Sequence, residues 1–417
     1  MKESSKLLFA PGWSDLHEGI NVPRMREERA ARARKIMKKQ NIPALLVTGA
    51  NNVRYLVGFR WNEFQAQLSY TLFFAEGDPV VYAHAGSFHQ MPDQAPWIKD
   101  WRIGRSWFGG VAGPEASAEE AQIFAREIKE ELKKRGLLKE QLAVVDFDVL
   151  AREALKEEGI HVVEGAYLLL EASQVKTVDE INCLKVVASI GSIPFQVALD
   201  SMKPGMTQDQ FSELAQSAMG GPGVDFSRAK ANMGPAAFER GVTVANRRIE
   251  YGDAGYVLTC GTSFLGYTAC LYRSYVVGRR PTAKEQDWYR QLRDRIEAII
   301  EAMRPGNTTA DAAKFYPPAS KWGYKDEAEV LSVECGHGIG LVHIGASHAH
   351  YNWPVINRQW SLKHPQVFEP GMVVAIESLE GEHRQGGFRL EHMVLITENG
   401  PELLDYFPRE EILLAAR

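Results

Sequence analysis

The chain has 417 residues, too many for one ordinary domain and enough for two or three with separate cores. Hydrophobic residues make up 45% and charged residues 24%, and the 36 glycines and 20 prolines are near average usage, which excludes disordered, collagen-like and disulfide-scaffold classes. With 48 basic and 53 acidic residues the net charge is -5, so the basic excess that phosphate-backbone binding needs is missing and nucleic acid is not an expected partner.

The apolar piece Leu7-Leu8-Phe9-Ala10 stops at Pro11-Gly12, short of a signal-peptide core or membrane span, so the expected location is the cytoplasm. The four cysteines, Cys183, Cys260, Cys270 and Cys335, form no CxxC pair and are expected to be reduced. Helical spacing over residues 27–39 leads into a short apolar strand at 43–47 and a Gly49-Ala50-Asn51-Asn52 turn. Apolar runs on either side of Glu76-Gly77-Asp78 predict an antiparallel hairpin. Ser117 with Glu120 reads as a capping box for a helix ending near Arg135 and closed by Gly136, and residues 143–147 read as the next strand. The first lobe, residues 1–170, is therefore expected to be α/β.

In the second lobe, residues 171–417, capping boxes at Thr177 with Glu180 and at Thr207 with Gln210 open two helices. The first ends at Lys203-Pro204-Gly205-Met206-Thr207, and the phrase returns as Arg304-Pro305-Gly306-Asn307-Thr308 after a helix over 284–303, which suggests a duplicated half-domain. Strands are predicted at 256–261, 268–277, 330–334, 372–378 and 388–397, and one sheet built from them would gather their polar residues into a single concave site.

Glu377 and Glu391 each lie within apolar strand sequence, where an unpartnered charge is costly. They suit either a functional site or an internal ion pair with Arg389. His337, in Cys335-Gly336-His337-Gly338-Ile339-Gly340, has glycines on both sides that permit close approach, and His343, His348 and His350 follow it.

Several phrases in the second lobe resemble the pita-bread family of creatinase, prolidase, aminopeptidase P and methionine aminopeptidase. They are Lys203-Pro204-Gly205-Met206-Thr207, Gly252-Asp253, Gly266-Tyr267, Arg273-Ser274-Tyr275, Gly336-His337-Gly338-Ile339-Gly340, Glu369-Pro370-Gly371-Met372-Val373-Val374 and Thr397-Glu398-Asn399-Gly400. The first lobe resembles the N-terminal domain of the longer members. The resemblance implies an N-terminal creatinase-like α/β domain followed by a pita-bread catalytic domain with internal pseudo-two-fold duplication. It also implies a dinuclear metal centre on two aspartates, a histidine and two glutamates. The last three map onto His337, Glu377 and Glu391, but the aspartate positions are Thr259 and Cys270. Creatinase is the member that works without the metals, and the hairpin and last strand resemble it. This chain has Tyr272 where creatinase carries a substrate-binding glutamate, and it has no histidine between His161 and His337, so creatine is not the expected substrate.

What the resemblance implies is a hydrolase acting on a C–N bond of a small amino-acid-like or amidino compound without a dinuclear centre. His337, Glu377 and Glu391 would be catalytic, and Tyr272, Arg389, His343, His348, Arg60 and Trp61 would bind substrate. No cofactor is expected; the alternative is one divalent ion on His337, Glu377, Glu391 and Cys270. Alternative readings are a one-metal aminopeptidase or prolidase, a lyase of the dimethylsulfoniopropionate-cleaving type, and an inactive binding module. The family resemblance further implies a homodimer, with Arg60 or Trp61 near the partner's site.

Overall fold

The computed structural model describes residues 19–59, 69–86, 88–221, 223–238, 246–330, 336–341 and 352–416. Two compact units divide the chain, one built mainly on Val22–Ser173 and the other mainly on Gln174–Gly340 with the C-terminal strands.

The N-terminal unit is built on a six-stranded sheet of β1 (Ala44–Thr48), β2 (Tyr70–Phe74), β3 (Val80–Ala83), β4 (Asp100–Ile103), β5 (Gln141–Val145) and β6 (His161–Glu164), in the order β4-β3-β2-β1-β5-β6. The predicted hairpin is the antiparallel β2–β3 pair, while β1, β5 and β6 run parallel. Leu46, Leu72 and Val144 pack with Phe124 and Ile128 of the helix Pro114–Lys134 in its core. Two local expectations are corrected. The helix Pro114–Lys134 has Gly113 as its N-cap, because Pro114 carries a helix-ready φ and starts the helix before Ser117. Ser117 is buried inside the helix, its Oγ donating to the Trp107 carbonyl at 3.4 Å. The segment read as a Gly49-Ala50-Asn51-Asn52 turn opens the helix Ala50–Val57, with Gly49 at φ 90° making the entry bend.

The C-terminal unit is organised around a ten-stranded sheet. Its strands are β7 (Val224–Phe226), β8 (Ala229–Met233), β9 (Ala254–Phe264), β10 (Tyr267–Val277), β11 (Gly336–Gly338), β12 (Asn352–Ile356), β13 (Val373–Glu382), β14 (Gly386–Thr397), β15 (Gly400–Leu403) and β16 (Leu413–Ala415). The predicted strand over 330–334 falls mostly outside the described residues, and Val330 itself caps a 3₁₀ turn. The long hairpins β9–β10 and β13–β14 meet at the centre, where β10 runs beside β14.

The internal duplication is visible in hydrogen bonds. Gly205 N donates to the Ile249 carbonyl and Ile249 N to the Met206 carbonyl, both at 2.8 Å. In the second half Gly306 N donates to the Phe368 carbonyl at 3.1 Å and Phe368 N to the Asn307 carbonyl at 2.8 Å. The two Pro-Gly phrases therefore do the same work, tying the end of a long helix to an extended segment. Each helix starts with a capping box, Thr177 with Glu180 for Val178–Ser201 and Thr282 with Glu285 for Ala283–Ala302.

The helix Val178–Ser201 is apolar and long enough to cross a membrane by composition alone, yet half of its apolar window is buried in the unit. Gly191 sets its close approach to β9 and β10: a Cβ there would lie 2.9 Å from Ala269 Cβ and 3.3 Å from Thr259 Cγ2. Gly191→Val is expected to lower unfolding free energy by about 1–3 kcal/mol through overpacking, read as a lower urea midpoint with unchanged slope. An unchanged midpoint would show that the helix and sheet can separate without cost.

Candidate active site

Strand register places the candidate residues on one face of the sheet. Glu377 on β13 stands opposite Glu391 on β14, and Tyr272 on β10 stands opposite the other side of Glu391. His337 on β11 stands opposite Ala375, two residues before Glu377, and Cys270 lies two residues before Tyr272. Since successive side chains alternate, all five project to the same side. The intervening residues Ile376, Leu390 and Val394 pack instead with Leu292 and Ile296 of the helix Ala283–Ala302. His337, Glu377, Glu391, Arg389, Cys270 and Tyr272 are all buried, the most exposed being Tyr272 at 6%.

Burying two carboxylates on neighbouring strands requires compensating groups. Arg389 Nη1 lies 3.5 Å from Glu377 Oε2, so this guanidinium pairs with Glu377. It also sits over the rings of Tyr256 and Tyr272, at 5.6 and 5.9 Å from their centroids. Glu391 Oε1 is 3.8 Å from His337 Nε2. His337 Nδ1 is 3.1 Å from the Gly338 carbonyl, an acceptor, which assigns the proton to Nδ1 and turns Nε2 toward Glu391. The glycine flanks are needed for this placement, since a Cβ on Gly338 would lie 2.0 Å from the Trp353 carbonyl oxygen. Burial and the Glu377 charge push the Tyr272 phenol well above its ordinary pKa, so Tyr272 is a neutral hydroxyl.

Thr259 and Cys270 part company in the structure. A bulge in the β9–β10 hairpin, with Gly261 at φ 90° as its extra residue, places Cys260 opposite Cys270 and Thr259 opposite Leu271. Thr259 therefore faces the helix at Gly191, on the side away from Glu391. Cys270 hydrogen-bonds Cys260, and this contact together with burial raises its thiol pKa well above normal. The donor atoms of Cys270, His337 and Glu391 all lie within 4.8 Å of one another. That is the expected single-ion set without Glu377. The dinuclear set does not fit: one aspartate position is a cysteine, the other points away, and a guanidinium stands beside Glu377.

Sequence reasoning missed the support beneath the site. β10 and β14 share one register pair, Tyr272 with Glu391, and side chains bridge the rest of this seam. Arg273, fully buried, donates Nη1 to the Tyr272 carbonyl at 2.8 Å and to the Glu391 carbonyl at 2.9 Å. Ser274 Oγ donates to the Arg389 carbonyl at 2.7 Å. Asp405 accepts from Arg273 Nη2, from His392 Nδ1 at 2.8 Å and from Met393 N at 2.9 Å. The signal available was an arginine inside a strand, between Tyr272 and Ser274, in otherwise largely apolar and aromatic sequence. Arg60, Trp61, His343, His348 and His350 lie outside the described residues.

Residues 182–398 match metallopeptidase family M24, and residues 29–162 match the creatinase/prolidase N-terminal domain. The uncharacterized peptidase YqhT of Bacillus subtilis is 25% identical over 387 residues, covering 91% of this chain and 98% of its own. The Xaa-Pro dipeptidase of Pyrococcus furiosus is 28% identical over 241 residues, 57% of this chain and 64% of its own. Among solved structures, the Xaa-Pro dipeptidase from Bacillus anthracis shares the fold, with a TM-score of 0.73 at 21% identity over 93% of this chain and 99% of its own. The chain belongs to metallopeptidase family M24, as a hydrolase related to prolidases, dipeptidases and creatinase, with a creatinase/prolidase N-terminal domain ahead of its pita-bread unit.

Proposed function

We propose that the enzyme hydrolyses a C–N bond in a small amino-acid-like or amidino compound, at a site without a dinuclear metal centre. The observation that carries this reading is the placement of the buried charges: Arg389 stands on Glu377, and Glu391 faces His337 on the same side of the sheet. In this arrangement Glu391 takes the proton of a water that adds to the electrophilic carbon of the substrate. Imidazole and carboxylate then return a proton to the departing nitrogen as the C–N bond breaks. Arg389, held over Tyr256 and Tyr272, orients a substrate carboxylate, and the neutral Tyr272 hydroxyl offers one directed hydrogen bond.

A thermal-shift screen of the whole chain against amino acids, dipeptides, guanidino compounds and sulfonium compounds tests the substrate class, followed by an assay for released amine or ammonia. The expected hit is a guanidino or small amide compound that yields one amine per turnover. Cleavage of Xaa-Pro dipeptides that requires two equivalents of metal would overturn the reading. So would an alkene product from a sulfonium compound, which marks a lyase.

A further inference from the structure

Cys270, His337 and Glu391 approach one another from three different strands, each almost wholly buried, and their donor atoms lie within 4.8 Å of one another. Around one tetrahedral ion, a sulfur at about 2.3 Å and nitrogen or oxygen at about 2.0–2.1 Å stand roughly 3.3–3.6 Å apart, so small side-chain rotations close the set. We propose that these three residues bind a single Zn²⁺ ion, through the Cys270 thiolate sulfur, His337 Nε2 and one Glu391 carboxylate oxygen. The proposal goes beyond the hydrolytic reading, which names no ion, and rests on the same site: with an ion bound, His337 is a ligand in place of a proton carrier, and the second Glu391 oxygen is the one left to take and return the proton.

Three features of the site support it. The contact between His337 Nδ1 and the Gly338 carbonyl fixes the tautomer that presents Nε2 to a metal, the usual second contact of a ligating histidine. Charge among the described side chains balances as well: Arg389 offsets Glu377, and a divalent ion offsets one thiolate and one carboxylate. The donor set is also selective, since thiolate with imidazole favours Zn²⁺ over Mg²⁺, Mn²⁺ or Ca²⁺. Three protein ligands leave the fourth position to water or substrate, as in catalytic zinc sites. A second ion is disfavoured by the Arg389 guanidinium beside Glu377 and by Thr259, which faces the helix. Cys260 touches Cys270 but lies outside the three-donor set, which makes it the internal control.

The test uses the full chain, stripped with a chelator and reloaded, without any substrate. One equivalent of Zn²⁺ is expected, with X-ray absorption showing one sulfur scatterer at about 2.3 Å. Cobalt substitution should give a near-ultraviolet thiolate-to-metal charge-transfer band. Cys270→Ser should remove the band and weaken binding by more than roughly 100-fold, beyond the loss typical of an outer-shell change. Cys260→Ser should keep both the band and the stoichiometry. Cys270→Asp should restore binding of one equivalent without the band, which separates lost ligation from lost folding. No binding, two equivalents, nitrogen and oxygen scatterers alone, or a band that follows Cys260 would each overturn the proposal. The two readings fail separately: a chain that binds Zn²⁺ through Cys270 and releases no amine keeps the ion and loses the hydrolytic reading, and a chain that releases amine without an ion does the reverse.

Discussion

Replacing Glu391 by glutamine is expected to lower kcat by about 10²–10⁴-fold while the protein stays folded, because the substitution keeps the shape of the side chain and removes only its proton-accepting charge. Glu391 is fully buried, and its nearest described cationic candidate is His337 at 3.8 Å, a long separation for a structural ion pair. Removing such a charge relieves desolvation, so the thermal midpoint should be unchanged or higher. His337→Ala should likewise abolish turnover with modest loss of stability. Glu377→Ala is expected to behave differently. It strips Arg389 of the carboxylate at 3.5 Å and leaves a buried guanidinium, a loss of about 3–5 kcal/mol in addition to lost activity. Steady-state kinetics on the screened substrate and thermal unfolding of the three variants check this ordering. If Glu391→Gln unfolds early and the folded fraction remains active, Glu391 is a structural carboxylate and the site lies elsewhere.

The sequence made the fold and the sheet face of the site legible for different reasons. Capping boxes at Thr177 and Thr207 and the two Pro-Gly phrases are local chemistry that the fold keeps, whereas the Ser117 and Glu120 pattern gave way to Pro114, which starts that helix earlier. Glu377 and Glu391 stood out because charge within an apolar strand needs a reason. What stayed hidden depends on register. Counting eleven residues from Thr259 to Cys270 puts both in one site, but the bulge at Gly261 shifts the pairing and sends Thr259 to the helix face. A one-residue slip reverses every side chain on a strand, and no composition reports it. Arg389 was recognised as a partner for one of the glutamates, yet which one depends on strand geometry. The Asp405 contact to Arg273 spans 132 residues of chain, a distance at which sequence pattern carries no pairing signal.

That Arg273–Asp405 pair carries the second large effect. Arg273 and Asp405 are almost fully buried, and Arg273 donates to the carbonyls of Tyr272 and Glu391 across the β10–β14 seam. Burial alone would raise the Asp405 pKa, but His392 and Arg273 outweigh it and hold the carboxyl well below the usual range. His392, buried and desolvated, has a lowered pKa and donates to Asp405 as a neutral imidazole. A depressed folded-state pKa means that Asp405 stabilises the wild-type fold above its unfolded value of about 3.9, and that this stability is lost as pH falls toward the folded value. Arg273→Met removes the cation and leaves the buried Asp405 carboxylate with the His392 and Met393 N–H donors but no full positive charge, which is expected to cost about 3–5 kcal/mol at neutral pH. In the variant the Asp405 pKa should rise toward its unfolded value, because the Arg273 contribution is gone while that of His392 remains, so Asp405 contributes less stability above pH about 3.9. The deficit relative to wild type should therefore be largest near pH 7 and shrink on acidification toward pH about 4, where protonation of Asp405 or His392 relieves the buried charge. Urea denaturation of both proteins across that range measures it. Because Arg273 also positions the Glu391 carbonyl, kcat should fall even under conditions where the variant is fully folded. A variant as stable as wild type at pH 7, or one whose deficit widens in acid, would mean that the pair does not hold the seam together.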